Sequence, residues 1–471
     1  MGIRDAALFT DLYELTMAAV FFREGMGETA TFSLFARRLP PSRAFIVAAG
    51  LEDALEYARS FGFSPDGIAY LRSLGRFEPA FLEYLGGLRF TGEIRAVPEG
   101  TVVFPDEPLL EVTGPVIEAQ LLESALLNTC HVQSVLASKA VRVVQAARGR
   151  ELAEFGLRRS HGTDAALKAA RCAWIAGFES TSDVLAGYRA GYRYGIPLSG
   201  TMAHSFVTAF ADELEAFRAY ARAFPDSAVL LLDTYDTMQG ARKAVTVAAE
   251  LAAEGRALAG VRLDSGDLPA LSREVRRMFD EAGFPGVRIV ASGGLDEHDI
   301  DALLAQGAPI DAFGVGTRLN VSADAPSLDL VYKLVRYGGR EVLTLSEGKE
   351  TWVGAKALYR TADADGKAAG DLLALEDEPP PAGAVASLLQ PVMHGGELLR
   401  PHPPLSEVRR RCAAELAALP PGLLRLREHA GYPVRPSDAL RLRQRAALRR
   451  QNVAVTPPST RRPSTEPPNS W

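Results

Sequence analysis

Hydrophobic and polar positions follow different rules in the two main parts of this chain. Over residues 8–24 (LFTDLYELTMAAVFFRE), apolar residues recur at helical spacing through Leu12, Leu15, Ala19 and Phe22. Thr10 and Asp11 supply cap chemistry, so the pattern predicts a helix with Asp11 and Tyr13 in its first turn. Residues 30–50 read as two strands around a Pro-Pro turn, and 51–90 as mainly helical. Residues 92–118 read as short β segments between Pro and Gly turns, and roughly 118–147 as one long helix with Gly149 beyond its end.

From about residue 150 the rule changes. Short apolar runs near 152–155, 176–179, 196–200, 228–232, 260–263, 287–291 and 311–315 alternate with helical stretches. Their spacing of roughly 20 to 30 residues is that of a βα unit. Runs such as 228–232 are apolar without alternation, as strands covered on both faces are. About seven such units predict a closed or nearly closed α/β barrel. Residues 320–400 return to short β segments that complete the first layer, and residues 405–450 are Arg-rich and helical in pattern. Residues 454–471 are rich in Pro, Ser and Thr, a composition expected to be disordered. The expected division is an N-terminal α+β domain at 1–149 joined by 320–400, a barrel at 150–320, a helical segment at 401–453 and a tail at 454–471.

Polar residues gather at the expected strand ends, the side on which α/β barrels carry their active sites. The first strand ends in Arg158 and Arg159, and the second in Glu179, Ser180, Thr181 and Ser182. Thr201, His204 and Ser205 follow the third, and Asp233 and Asp236 the fourth. Asp264, Ser265, Gly266 and Asp267 follow the fifth, Ser292-Gly293-Gly294 the sixth and Gly314-Val315-Gly316-Thr317 the seventh. Glycines at two adjacent strand ends let backbone amides approach an anion, which favours phosphate binding. Asp264 and Asp267 flank a tight turn and suit ribose hydroxyls or Mg2+, with helix capping as the bland alternative. Paired arginines suit a polyanion. His204 is a candidate base, anion contact or nucleophile. Together these parts suit a phosphorylated sugar with a polyanionic leaving group.

Composition narrows the class. The chain has 471 residues, 47% apolar and 23% charged, with a net charge of −6. These are values of a globular protein of two or three domains without affinity for nucleic acid. Cys130, Cys172 and Cys412 have no metal spacing, consistent with reduced thiols. No secretory signal or apolar run of membrane-spanning length is seen, so a cytoplasmic location is expected.

The sequence resembles the nicotinate phosphoribosyltransferase family. The pieces that carry the likeness are TDLYELTM (10–17), EFGLRRSHG (154–162), GFESTSDVLAG (177–187), GTMAHSFV (200–207), LLDTYDT (231–237), RLDSGDL (262–268), SGGLDE (292–297) and GVGTRL (314–319). The resemblance implies an irregular TIM-like barrel of the type II phosphoribosyltransferase kind. It implies transfer of phosphoribose from phosphoribosyl pyrophosphate to nicotinate, coupled to ATP hydrolysis, with Mg2+ as cofactor and no tightly bound organic cofactor. It implies a phosphohistidine at His204, with Arg158 and Asp264 as further catalytic groups. Tyr13, Thr201 and Arg262 match nicotinate-holding positions, with Phe155 beside the ring. Ser205, Gly293, Gly294, Gly314, Gly316 and Thr317 fall to phosphoribosyl pyrophosphate. It also implies a homodimer in which the Tyr13 helix serves the partner's site. The nicotinamide branch carries an Asp near Ser182, and a Ser there favours a carboxylate substrate. A non-catalytic phosphoribosyl-pyrophosphate-binding protein is the alternative outside the enzymes. A Schiff-base aldolase would want a strand-end Lys, which no strand end supplies.

Overall fold

The computed structural model describes residues 5–188, 194–346, 350–381 and 387–450. The expected tail at 454–471 lies outside them. The first strand, Thr29–Ala36, is buried at every position but Thr29. It is covered on both sides, which explains a run of small and aromatic residues with no polar alternation. It pairs antiparallel with Pro108–Pro115 on one edge and Leu330–Tyr337 on the other. Phe32 stacks on Tyr332 with ring centroids 4.8 Å apart. The later β segments thus complete the N-terminal layer. Its seven strands run Arg340–Glu341, Leu330–Tyr337, Thr29–Ala36, Pro108–Pro115, Glu93–Ala96, Gln390–His394, Glu397–Leu398 across the sheet.

The predicted helix at 8–24 is Leu12–Arg23. Asp11 sits at its N-cap position but its carboxylate makes no cap bond. It accepts instead from the Ser124 hydroxyl at 2.7 Å, fastening this helix to a neighbour. The long helix expected at 118–147 is two, Val116–Leu121 and Glu123–Ala147, separated at Leu122. Arg148 (φ 48°) and Gly149 (φ 82°) end the second in left-handed conformations.

Six parallel strands form the barrel sheet, in the order Ser180–Thr181, Glu151–Glu154, Ala312–Val315, Arg288–Ala291, Gly260–Leu263, Val229–Leu231. Leu198 adds one parallel bridge to Thr181. The circuit is therefore closed on the side where last strand meets first. Among the described residues it is unpaired between Leu198 and Val229–Leu231, which makes the barrel irregular. Two expectations need correction. The second strand is at 180–181, not 176–179, because helix Thr163–Ala176 runs through Ala176 and Gly177 (φ 131°) ends it. The run at 196–200 supplies only the Leu198 bridge. The C-terminal region is not purely helical either. Between helices Leu405–Ala418 and Asp438–Arg450 the strand Val434–Pro436 joins Lys356–Ala362 and Ala368–Leu375 in a three-stranded sheet.

Barrel and N-terminal layer each have an apolar core, and helix Glu123–Ala147 contributes to both. Its Ser134 and Ser138 hydroxyls accept from the amides of Ala49 and Val47 at 3.2 and 3.0 Å. Farther along, Lys139 and Arg142 reach the buried carboxylate of Glu297, at the start of helix Glu297–Ala305. Lys139 also meets Asp324 at 2.7 Å, and Arg43 meets Asp324 at 2.5 Å. Burial pushes the Glu297 carboxyl up, but Lys139 and Arg142 outweigh it and hold it below the usual range. Removing one member of such a cluster strands a charge in a poorly solvated place. Lys139→Met should lower unfolding free energy by about 3 kcal/mol, read from urea denaturation midpoints.

Candidate functional site

The C-terminal ends of the barrel strands gather most of the expected groups. Arg262 is the third residue of Gly260–Leu263. Its guanidinium donates to Thr201 Oγ1 at 2.8 Å and to the Met202 carbonyl at 2.9 Å, while its Nε is buried without a partner. Burial lowers its pKa, Asp264 and Asp233 oppose this, and Arg158 adds to it. The four charges therefore share one electrostatic neighbourhood. Among the described residues Arg158, Arg159 and Arg262 form no ion pair with a carboxylate, whereas Lys139, Arg142 and Arg171 all do.

His204 opens the short helix His204–Thr208 and is exposed, as is Ser205. Its Nδ1 lies 3.2 Å from Thr234 Oγ1 in the loop after Val229–Leu231. With Nδ1 so engaged, Nε2 is the ring nitrogen left for chemistry.

Asp233 sits at the centre of the acidic part. Its Oδ2 accepts from the Asp264 amide at 3.1 Å and from Ser265 Oγ at 2.5 Å, and its Oδ1 is buried without a partner. Asp264 Oδ1 accepts from Ser292 Oγ at 2.5 Å. Asp267 behaves differently: it caps helix Leu268–Glu281, accepting from the Ala270 amide at 3.1 Å. The capping alternative thus describes Asp267, and the carboxylate beside Asp264 is Asp233.

The glycine turns are shaped first by packing. At φ 99°, Gly293 lies so close to the Asp264 carbonyl that a Cβ would come within 1.8 Å of its oxygen. A Cβ on Gly314 would strike the Phe155 ring at 2.4 Å, and one on Gly316 the Phe155 carbonyl at 2.7 Å. Gly294 has φ 75° with open space beside it. The amides of Gly293 and Gly294 donate to no other group among the described residues. Thr317 is exposed and begins the helix Thr317–Asn320, where first-turn amides have no intrahelical partner. Arg318 ties the two turns together, donating to Asp296 at 2.7 Å and Asp299 at 2.9 Å. The rim thus carries amides without partners at the glycine turns and arginines that pair with no carboxylate among the described residues.

Sequence reasoning missed the group beneath this rim. Glu154 is fully buried and accepts three hydrogen bonds, from the Gly156 amide (2.5 Å), Thr181 Oγ1 (2.6 Å) and Asn320 Nδ2 (2.9 Å). Burial pushes its carboxyl up, and these bonds pull it back only in part. A buried Asn has no local signature, so only the fold could place Asn320 there. Ser182 is half-buried, and its amide donates to the Glu154 carbonyl at 2.9 Å.

Tyr13 stands apart. It lines a cavity of about 440 Å³ with Leu8, Phe9, Thr10, Asp11, Ser124, Asn128 and His131, and no hydrogen bond among the described residues joins it to the rim. The helix that carries it is pinned by Glu14, which accepts from Thr10 Oγ1 at 2.6 Å and lies 2.5 Å from Ser124 Oγ.

Three family models match the chain: the nicotinate phosphoribosyltransferase N-terminal domain over residues 8–131, the nicotinate phosphoribosyltransferase family over 150–343, and the corresponding C-terminal domain over 383–443. The chain is 48% identical over 464 residues to nicotinate phosphoribosyltransferase pncB2 of Mycobacterium tuberculosis, covering 98% of each. It belongs to the nicotinate phosphoribosyltransferase family. The Bacillus subtilis nicotinate phosphoribosyltransferase is 43% identical over 389 residues, 80% of this chain and 78% of that one. The crystal structure of the human enzyme superposes with a TM-score of 0.82 at 33% identity, covering 93% of this chain and 99% of that one. No helix among the described residues is long and apolar enough to cross a membrane.

Burial pushes the Glu14 carboxyl up to about 7 from 4.5. The folded state then keeps a proton that the unfolded chain releases above about pH 4.5, so stability falls as pH rises from 4.5 to 7 and levels off beyond. Between pH 5 and pH 8 the wild type should lose about 2 kcal/mol more than Glu14→Gln, compared by urea denaturation.

Proposed function

We infer that this protein transfers the phosphoribosyl group of phosphoribosyl pyrophosphate to nicotinate, releasing pyrophosphate and forming nicotinate mononucleotide, with ATP hydrolysis coupled to the transfer. The observation that carries the choice of acceptor is Arg262. A half-buried guanidinium, fixed by Thr201 and Met202 and lacking a carboxylate partner, suits a substrate carboxylate. An uncharged nicotinamide would leave that charge uncompensated. Phe155, held across Gly314, offers a flat apolar face for the pyridine ring.

The 5′-phosphate goes to the amides around Gly293, Gly294 and Thr317, and the departing pyrophosphate to Arg158, with Ser205 as a further donor. As the bond from C1 to pyrophosphate loosens, positive charge grows on the sugar ring and negative charge on the leaving group. Fixed arginines aimed at that negative charge lower the barrier because they need no reorganisation. The pyridine nitrogen then attacks C1 from a position set by Arg262 and Phe155.

Mg2+ is the implied metal. Among the described residues no group of three or more His, Cys, Asp or Glu side chains could hold a metal ion. Mg2+, however, commonly takes only one or two carboxylates and completes its shell with water and substrate phosphates. The unpartnered Asp233 Oδ1 and the neighbouring Asp264 carboxylate form an all-oxygen set of that kind. When bound there, Mg2+ would neutralise phosphate charge.

His204 accepts the phosphoryl group of ATP through Nε2. A phosphohistidine at the rim adds negative charge and acceptor oxygens beside the pyrophosphate position, favouring release of that product. A second copy supplies Tyr13. Exposed apolar residues occur both near the first helix (Phe9, Leu12, Tyr13, Val20) and around the rim (Leu157, Val184, Leu185, Leu198, Tyr235). One patch of each kind on every copy meets the requirement of a two-fold dimer.

Pyrophosphate release should occur with nicotinate and not with nicotinamide or quinolinate, and ATP should stimulate it with formation of ADP. Release with nicotinamide would move the protein to the sister activity. Binding of phosphoribosyl pyrophosphate without turnover would indicate a sensor. Arg262→Ala should raise the KM for nicotinate by about ten- to a hundredfold. His204→Ala should keep basal transfer and lose its stimulation by ATP. Mixing Tyr13→Ala and Arg262→Ala chains under subunit exchange, assayed at nicotinate concentrations too low for either variant alone, should restore part of the activity, since some mixed dimers contain one intact site. No recovery would count against the shared site.

A further inference from the structure

Outside the rim, the buried carboxylates of Glu297 and Glu99 are satisfied by Lys139, Arg142 and Arg171 and serve the fold. The amide of Asn320 is different, because it joins two parts of the rim. Asn320 is buried and ends the short helix that begins at Thr317. Its Nδ2 donates to Glu154 Oε1 at 2.9 Å and to Ser160 Oγ at 2.8 Å. Ser160 closes the turn that carries Arg158 and Arg159. The turn lies directly on the amide: a Cβ on Gly156 would come within 2.2–2.5 Å of the Asn320 side-chain atoms. Gly156 thus allows close approach, and the amide supplies the connection.

Each half has anchors of its own. The arginine turn keeps the bond from the Gly156 amide to Glu154 and that from the Ser160 amide to the Gly156 carbonyl at 3.1 Å. The helix Thr317–Asn320 keeps its ties through Arg318 to Asp296 and Asp299. What Asn320 adds is a fixed spacing between them. A substrate with one anion at each end is sensitive to that spacing, because misplacement by about 1 Å can cost a hundredfold. Ligands that occupy one end only are not.

We propose that Asn320 is a positioning residue that sets the distance between the 5′-phosphate turn and the pyrophosphate-binding arginines, and so selects a sugar carrying both groups. This rests on the assignment of phosphoribosyl pyrophosphate as substrate made above. An Asn is suited to the task because its two amide protons can serve two acceptors at once, here a buried carboxylate and a hydroxyl.

The test is calorimetric and kinetic, on the full chain. Asn320→Ala should weaken phosphoribosyl pyrophosphate binding at least about tenfold, while ribose 5-phosphate and pyrophosphate, tested separately, bind within about twofold of wild type. The KM for nicotinate should hold within about twofold. If Asn320→Ala does not fold, Ser160→Ala, which cuts the link to the arginine turn together with the bond from Ser160 Oγ to the Gly156 carbonyl at 3.2 Å, carries the same comparison. Equal weakening of both fragments and the joined substrate, or no weakening of any, would overturn the proposal. Wild-type protein that fails to bind phosphoribosyl pyrophosphate would instead remove the substrate assignment on which it rests.

Discussion

The functional rim depends on one pairing, that of the last barrel strand with the first. Ala312–Val315 lies parallel to Glu151–Glu154, with Val315 opposite Glu154. Residues some 160 positions apart thereby become neighbours, and two unrelated turns share one edge. The pairing also buries Glu154, whose carboxylate would be costly there without partners. Its three hydrogen bonds answer that cost and in doing so fix Gly156, Thr181 and Asn320 around it. The strand-end chemistry is therefore built on a buried polar knot whose every arm comes from a different barrel segment.

Charge is handled differently in the interior and at the rim. Inside, Lys139, Arg142, Arg43 and Arg171 each meet carboxylates, because an unpaired buried charge would destabilise the fold. At the rim, Arg158 and Arg262 have no carboxylate partner among the described residues, and the Asp233 carboxylate keeps an unused oxygen. The buried Arg262 Nε and Asp233 Oδ1 are the rim atoms left for a ligand to satisfy. That contrast separates the site from the rest of the molecule more clearly than any single motif does.

The glycines illustrate how a correct motif can have a second physical cause. Gly293, Gly314 and Gly316 were expected for their freedom to turn toward an anion. Each is also required by close packing, against the Asp264 carbonyl or against Phe155. The two causes act together: a backbone pressed flat against its neighbour has its amides fixed in place. Asp267 shows the opposite case, where an acidic residue inside a functional motif caps a helix.

Local pattern was enough to place most barrel strands within a residue or two, because a buried parallel strand needs an uninterrupted apolar run. It also placed the polar strand ends that form the rim and the β segments that return to the first layer. It failed at 176–179 and 196–200. There helix and strand patterns are alike over a few apolar residues, and a helix cap at Gly177 and a lone bridge at Leu198 decided the outcome. It also read Asp11 as a cap, though Ser124, more than a hundred residues away, takes its carboxylate. By itself, then, the sequence determined which residue types stand at the strand ends, since spacing and polarity are local properties. Only the tertiary structure decided that Asp233 and not Asp267 lies beside Asp264, and that Glu154 and Asn320 meet beneath the rim, because such contacts exist only once the first and last strands are joined.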